Sequence, residues 1–263
     1  MDRSFLSSAK VIEASRQFVC VRLTTYEDET EAKFSQRLVR TRSGEVENTS
    51  FALFEPDGKT TLSKSGRGMR GIYNSADDMA KAMADIAKKF PGKAKDNEVP
   101  TKLPYTLTAK LGVNVAAADH LPLIVILAES DKARTSMAEA VAKPAWGKTY
   151  LGHFTYAEAK KADDLPKLAA LKSMDSIVFI EPDRFGQTGT VIEQLKPDST
   201  QEEIEKAMNT LLKKHTVTTL TERAFREAAV KAGAFWEPKL TVSDPQEQRA
   251  REETKRRIEM MKK

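Results

Sequence analysis

Thiol-disulfide exchange needs a reactive thiolate and a second thiol to resolve the mixed disulfide, and this 263-residue chain has one cysteine, Cys20. A lone thiol cannot close an intramolecular disulfide or build a multi-thiolate metal site. Cys20 lies inside the apolar run Val19-Cys20-Val21, where strand alternation predicts an inward-facing, inert side chain. His120, His153 and His215 are scattered and share no metal-ligand spacing beside a carboxylate. Structural or surface roles are expected for all three, and these residues call for no cofactor.

The one Gly-rich basic segment is Ser65-Gly66-Arg67-Gly68-Met69-Arg70-Gly71. It follows a predicted strand and precedes a predicted helix, so its backbone N–H groups, in the stretch that includes Ser65, Gly66 and Gly68, could hold an anion with Arg67 or Arg70 as charge partner. Its spacing fits neither GxxxxGKS/T nor GxGxxG, and a flexible connector is the competing reading. The acidic run Tyr26-Glu27-Asp28-Glu29-Thr30-Glu31 reads as a helix start with acids in its first turn rather than a cation site. Trp146 and Trp236 stand near Pro144 and Pro238, where each is expected to pack over a domain edge.

The elements that must position these residues come from a chain long enough for two cores. Hydrophobic residues are 40% and charged residues 31% of it, the balance of a soluble protein. No apolar run approaches the roughly 18 residues that span a bilayer, and the start has no apolar signal core; the compartment stays open. The net charge of +5 comes from 43 Lys and Arg against 38 Asp and Glu. Most basic residues sit close to acids, which argues against a nucleic-acid footprint.

Two stretches resemble each other. Phe51-Ala52-Leu53-Phe54-Glu55-Pro56-Asp57 and Ile177-Val178-Phe179-Ile180-Glu181-Pro182-Asp183 are apolar runs closed by Glu-Pro-Asp, 126 positions apart. Each reads as a buried strand leaving through a tight turn. A second short strand follows in each half, Thr60 to Lys64 and Thr190 to Leu195, and then a helix. Ser75 opens the first helix and Ser199 the second. Lys81-Ala82-Met83 recurs as Lys206-Ala207-Met208, 125 positions on. The repeated hairpin at nearly the same offset predicts a duplication.

Upstream in the second half, Leu123 to Ala128 reads as a buried strand and Asp131 to Ala142 as a helix. Thr149 to Phe154 reads as a strand, and Tyr156 to Leu171 as a helical stretch interrupted near Pro166. With the hairpin and the capped helix this is a βαβαββα order over roughly 121–215, which resembles the thioredoxin-like superfamily. The resemblance implies a fold class of α/β with two tandem thioredoxin-like domains, each a central mixed sheet flanked by helices. The expected division is 1–92 for a first, shortened domain, 93–104 for a linker, 105–217 for a complete second domain, and 218–263 for a helical extension ending in a charged C-terminal helix.

The resemblance also places the superfamily's redox turn of the second domain at Glu129-Ser130-Asp131-Lys132, where no thiol stands. The cis-proline position before the third core strand is replaced by Asn48-Thr49-Ser50 and Met174-Asp175-Ser176. In the first half, Phe18 to Leu23 can match the first strand of the second half or the strand after its first helix. The second placement is preferred, with Ser8 to Gln17 as the end of the preceding helix and Glu27 to Arg40 as the next one. It implies that the first domain lacks its leading strand and that a cysteine pair would lie before Met1.

The expectation is therefore a non-catalytic thioredoxin-like protein acting as a binding or scaffold module. The alternative is a thiol-disulfide oxidoreductase-related protein with its redox motif upstream. A protein partner is expected, with a homodimer as one form of it because an open sheet edge invites pairing; no nucleic acid and no membrane span are expected.

Overall fold

A computed structural model of the chain describes residues 5–38, 50–66, 68–91, 102–217 and 220–262. The architecture is mixed α/β, and the chain divides into two compact units: Met1–Ala94 with Glu237–Met260, and Lys95–Trp236 with Met261–Lys263. Among the described residues no helix is long and apolar enough to cross a membrane.

The first unit is built on helices. They are α1 (Ala9–Ser15), α2 (Glu29–Leu38), α3 (Ala76–Lys89) and, from the far end of the sequence, α8 (Pro245–Met261). Phe5, Val11, Ala14, Leu53, Met69, Met79 and Met83 form its core. Leu53 and Leu62 are joined by a 2.7 Å main-chain bond, while Phe51 bridges Gly66 and Phe54 bridges Thr61. The expected hairpin is thus reduced to isolated bridges.

The run Phe18 to Leu23, expected as a buried strand, forms no strand. Val19 is 92% and Val21 75% exposed, and Cys20 is exposed. Its β-branched residues favour a strand only where a ladder partner and a covering face exist, and neither is present among the described residues. Most of α8 is solvated, with Ile258 buried on its inner stripe, as expected of so charged a helix. Of segment 218–263, the part to Trp236 belongs with the second unit.

The second unit contains α4 (Ala109–Asp119), β1 (Leu123–Leu127), α5 (Asp131–Ala145), β2 (Thr155–Ala159), β3 (Leu168–Ala169), β4 (Ser176–Pro182), β5 (Gly189–Leu195), α6 (Gln201–Lys214) and α7 (Glu222–Ala232). Its sheet has the order β2-β1-β4-β5-β3. β1 pairs in parallel with β2 and antiparallel with β4, β4 and β5 are antiparallel, and β3 runs parallel to β5. Alternation along the central strands separates two cores. Ile124, Ile126, Ile177 and Phe179 pack with Met137 and Val141 of α5 and Ile204, Met208 and Leu211 of α6. Leu123, Val125, Val178 and Ile180 pack with Ala109, Val113 and Ala116 of α4. The sheet is buried on both faces, which is why β1 is an unbroken apolar run.

Two expected elements are corrected. Thr149 to Phe154 is a series of turns rather than a strand, and its aromatic content is used in packing, with the Tyr150 and Phe154 rings 6.2 Å apart. The strand is β2, one element later, where a helix from Tyr156 to Leu171 was expected. Thr-Tyr-Ala-Glu-Ala carries little strand signal, but pairing with β1 buries all of it except Glu158. Asp164 then accepts the main-chain N–H groups of Lys160 and Lys161 at 2.9 and 3.1 Å, giving a 3-10 turn instead of a helix.

The two Glu-Pro-Asp turns share their local chemistry. Asp57 accepts from the N–H groups of Lys59 and Thr60, and Asp183 from those of Phe185, Gln187 and Thr188; each also accepts from a threonine hydroxyl, Thr60 or Thr188. Gly58 (φ 66) and Gly186 (φ 64) supply the left-handed residue. Gly186 also lies so close to α4 that a Cβ there would meet Asn114 Cα at 2.6 Å. Ser75 caps α3, but α6 is capped by Thr200 rather than Ser199, with Glu203 completing a capping box. The caps are then 125 positions apart, as are buried Met79 and Ile204, and Met83 and Met208.

Candidate functional site

Glu129, Ser130, Asp131 and Lys132 form the exposed turn between β1 and α5. Ser130 is the N-cap residue of α5, yet its hydroxyl makes no capping bond. The turn is fastened instead by Arg134, one turn into the helix and 6% exposed. Its Nη1 donates to the carbonyl oxygens of Ala128 at 2.5 Å and Glu129 at 2.9 Å, its Nη2 to Asp131, and its Nε lies 3.8 Å from Glu158 on β2. A buried guanidinium satisfied by two carbonyls and two carboxylates is a clamp that fixes the turn's shape.

Beside this clamp lie two buried phenols. Tyr105 and Tyr156 occupy bridged main-chain positions, and neither hydroxyl has a hydrogen-bond partner among the described residues. Burial pushes Tyr105 up to about 12, with the Glu158 carboxylate adding to the shift and Arg134 opposing it; burial alone pushes Tyr156 up. Both stay neutral through the ordinary pH range. Arg134, Glu158 and the tyrosines were not singled out by sequence reasoning. An acid three residues before an arginine, Asp131 and Arg134, was the available signal.

On the far side of β1, Ser176 is buried and Asp175 takes a left-handed conformation (φ 50). Gln194 of β5 holds this approach to β4. Its amide donates to the Ser173 carbonyl at 2.6 Å and to Ser176 Oγ at 2.7 Å, and its oxygen accepts from the Lys172 N–H at 3.0 Å. Ser50 is described, whereas Asn48 and Thr49 lie outside the described residues.

Of the basic Gly-rich loop, Ser65, Gly66 and the residues from Gly68 to Gly71 are described. Gly66 exchanges main-chain bonds with Phe51, at 2.9 and 3.3 Å, so its N–H is already used. Ser65 is exposed, Gly68 precedes a 3-10 turn, and Arg67 lies outside the described residues. Arg70 lines a cavity of about 550 Å³ together with Phe5, Tyr73, Asn74, Ser75 and Ala76. It has no hydrogen-bond or ion-pair partner among the described residues. The neighbouring N-terminus of α3 is occupied by its own groups: Ser75 Oγ accepts from the Asp78 N–H, and Asp77 pairs with Lys10 at 2.6 Å.

Cys20 Sγ faces the Ser15 carbonyl at 3.8 Å, exposed rather than in a core. Asp28 accepts the N–H groups of Thr30 and Glu31, which start α2 as the acidic run predicts. Trp146 donates from Nε1 to the Lys102 carbonyl at 3.1 Å. His153 is exposed, while His120 and His215 meet at one end of the sheet. Among the described residues no group of His, Cys, Asp and Glu is arranged to hold a metal ion.

No protein-family model matches the chain, and no curated protein and no solved structure matches it.

Proposed function

We propose that the chain is a non-catalytic thioredoxin-like protein, built from a duplicated unit, that serves as a binding or scaffold module. The observation that carries this reading is the clamped turn after β1. In a thioredoxin-like unit this turn, at a helix N-terminus, is where the reactive thiolate stands; here it is Glu129-Ser130-Asp131-Lys132, held by Arg134. The parallel pair β2-β1 continued by antiparallel β4 and β5, with helices on both faces, supports the resemblance. The matching Asp57 and Asp183 turns and the equally spaced caps and buried helix positions support the duplication.

A protein partner is the proposed ligand. Val19 and Val21 display apolar side chains on a segment of the first unit that forms no strand and has no ladder partner among the described residues, and a partner strand pairing with it would give both a ladder. The test of the functional reading is insulin reduction driven by dithiothreitol. The chain is expected to give the rate of dithiothreitol alone, with the Cys20→Ala variant identical. Turnover above that variant refutes the reading.

A second reading is favoured by one observation, Arg70, without a hydrogen-bond or ion-pair partner among the described residues, on the wall of the open 550 Å³ pocket. It assigns the cavity to a phosphate-type anion. Titration of inorganic phosphate and sulfate against thermal stability is expected to raise the melting temperature of the chain and not of Arg70→Ala. Equal curves for the two proteins refute it.

A further inference from the structure

In the first unit Val19, Cys20, Val21 and Arg22 are four exposed residues in a row. The peptide N–H and C=O groups of Val19, Cys20 and Val21 make no hydrogen bond among the described residues. The stretch is nevertheless fastened at both ends. Before it, the Phe18 N–H donates to the Ser15 carbonyl at 2.9 Å and closes the turn after α1. After it, the Thr24 carbonyl accepts from the Glu27 N–H at 2.8 Å, and the Thr24 hydroxyl donates to Glu31 of α2 at 2.7 Å. Two valines, 92% and 75% exposed, are thus held between fixed points, and pairing with a strand there costs less chain freedom than ordering a loose tail would.

Resting on the reading that this segment takes a partner strand, we propose that the strand is the same segment of a second copy of the chain, antiparallel to it and centred on Cys20. A two-fold contact joins like surfaces, so it requires a surface that matches itself. The run Phe18-Val19-Cys20-Val21-Arg22 does so. With the axis at Cys20, Val19 of each copy stands opposite Val21 of the other, which gives two cross-strand pairs of β-branched residues. Half-buried Phe18 stands opposite Arg22, a ring against a cation.

Charge sets the direction of pairing. Antiparallel strands put the two Arg22 side chains at opposite ends of the ladder, whereas parallel strands would set them side by side, where like charges destabilise. Beyond the ladder the same axis turns Arg16, 56% exposed, toward the end of the other copy where Glu27, Asp28 and Glu29 follow. So short a ladder buries less than the roughly 1,200 Å² of a standard interface, and a reversible dimer with a micromolar Kd follows. Cys20 reports on its centre. Directly opposite residues of an antiparallel pair have Cα atoms about 4.5 or 5.5 Å apart, and both values lie within the span of a disulfide. Diamide takes two electrons and two protons from the two exposed thiols, one on each copy, and leaves one Sγ–Sγ bond.

Sedimentation of the full chain from about 1 to about 100 µM, a range that brackets such a Kd, is expected to show the mass rise from one chain to two. Val19→Lys with Val21→Lys sets the introduced lysines against each other across the axis and should weaken association about tenfold or more. Val19→Lys with Val21→Glu sets each introduced lysine against an introduced glutamate and should restore the dimer. Parallel pairing would oppose like charges in that variant and give no recovery. Where the unaltered chain is dimeric, diamide is expected to convert it to a covalent dimer and to leave the double-lysine variant monomeric. An unaltered chain that stays monomeric at about 100 µM overturns the proposal and leaves the segment to a strand of another protein. In that case insulin reduction at the rate of dithiothreitol alone still supports the functional reading. A dimer that survives the double-lysine change, or is not restored by the lysine-glutamate pair, overturns it equally. Should the variants fail to fold, the unaltered chain decides: a dimer by sedimentation whose Cys20 thiols do not join under diamide overturns the pairing centred there.

Discussion

Arg134 donates from its guanidinium to the main-chain carbonyl of Ala128 at 2.5 Å, inside the turn that joins β1 to α5. The bond matters because Ala128 is fully buried and no water can replace the donor. Arg134→Met is expected to destabilise the second unit by about 2 kcal/mol, since it strands the buried Ala128 acceptor. Asp131 is 85% exposed at its side chain, so Asp131→Asn should cost less than about 0.5 kcal/mol. Urea unfolding followed by tryptophan fluorescence reads this unit, because Trp146 and Trp236 both belong to it. Equal costs for the two variants would show that the ion pair, not the carbonyl clamp, holds the turn.

Gly186 and Gly152 separate two reasons for glycine. Both have positive φ, 64 and 78, but a Cβ at Gly186 meets the α4 backbone at Asn114 whereas one at Gly152 meets nothing within 4 Å. Gly152→Ala should cost about 1 kcal/mol from backbone strain alone. Gly186→Ala adds a collision that only movement of α4 relieves, and about 3 kcal/mol or more is expected. Thermal melts of the two variants side by side check the ranking.

The buried phenols give the alkaline behaviour its sign. Tyr105 ionises in the unfolded chain at its ordinary value and in the folded chain only near 12. The folded form therefore binds the proton more tightly, and stability falls as pH rises from the ordinary tyrosine range toward that value. Tyr105→Phe should flatten this limb and, by removing an unpartnered hydroxyl, leave neutral-pH stability unchanged or raised by about 1 kcal/mol. Tyr156→Phe should act in the same direction. A loss of more than about 1 kcal/mol from either change would mean that the hydroxyl has a partner.

Thr200 and Ser199 compete for one role in sequence but not in structure. Thr200 Oγ1 accepts from the Glu203 N–H, while the Ser199 N–H is spent on the Lys196 carbonyl. Thr200→Ala should cost about 1 kcal/mol and Ser199→Ala less than about 0.5 kcal/mol. Denaturant midpoints that ranked them in reverse would restore the Ser199 reading.

Legibility in the sequence followed burial. β1, β4 and the inner stripe of α6 are apolar enough to announce themselves because both faces or one whole stripe is covered, and the Pro-Asp turns carry their own chemistry at Asp57 and Asp183. β2 was missed because Tyr156, Ala157 and Ala159 owe their strand conformation to pairing with β1 rather than to propensity. Phe18 to Leu23 fails in the opposite sense: Val19, Cys20 and Val21 carry strand propensity without a ladder partner among the described residues to realise it. At the candidate site the turn Glu129 to Lys132 could be placed from the strand and helix on either side. Its clamp could not, since the reach of Arg134 back to Ala128 depends on where the helix starts.

The most direct test of the account puts thiols where the thioredoxin-like resemblance puts them. Ser130 is the N-cap of α5 and Ala133 lies three residues on, a spacing whose Cα separation of about 5.5 Å suits a disulfide. In a Cys20→Ala background, Ser130→Cys with Ala133→Cys is expected to form an intramolecular disulfide on mild oxidation, seen by mass and by loss of free thiol, and to gain insulin-reducing turnover that the unaltered chain lacks. A double variant whose thiols stay free under the same oxidation, or an unaltered chain that already turns over insulin, would contradict the account.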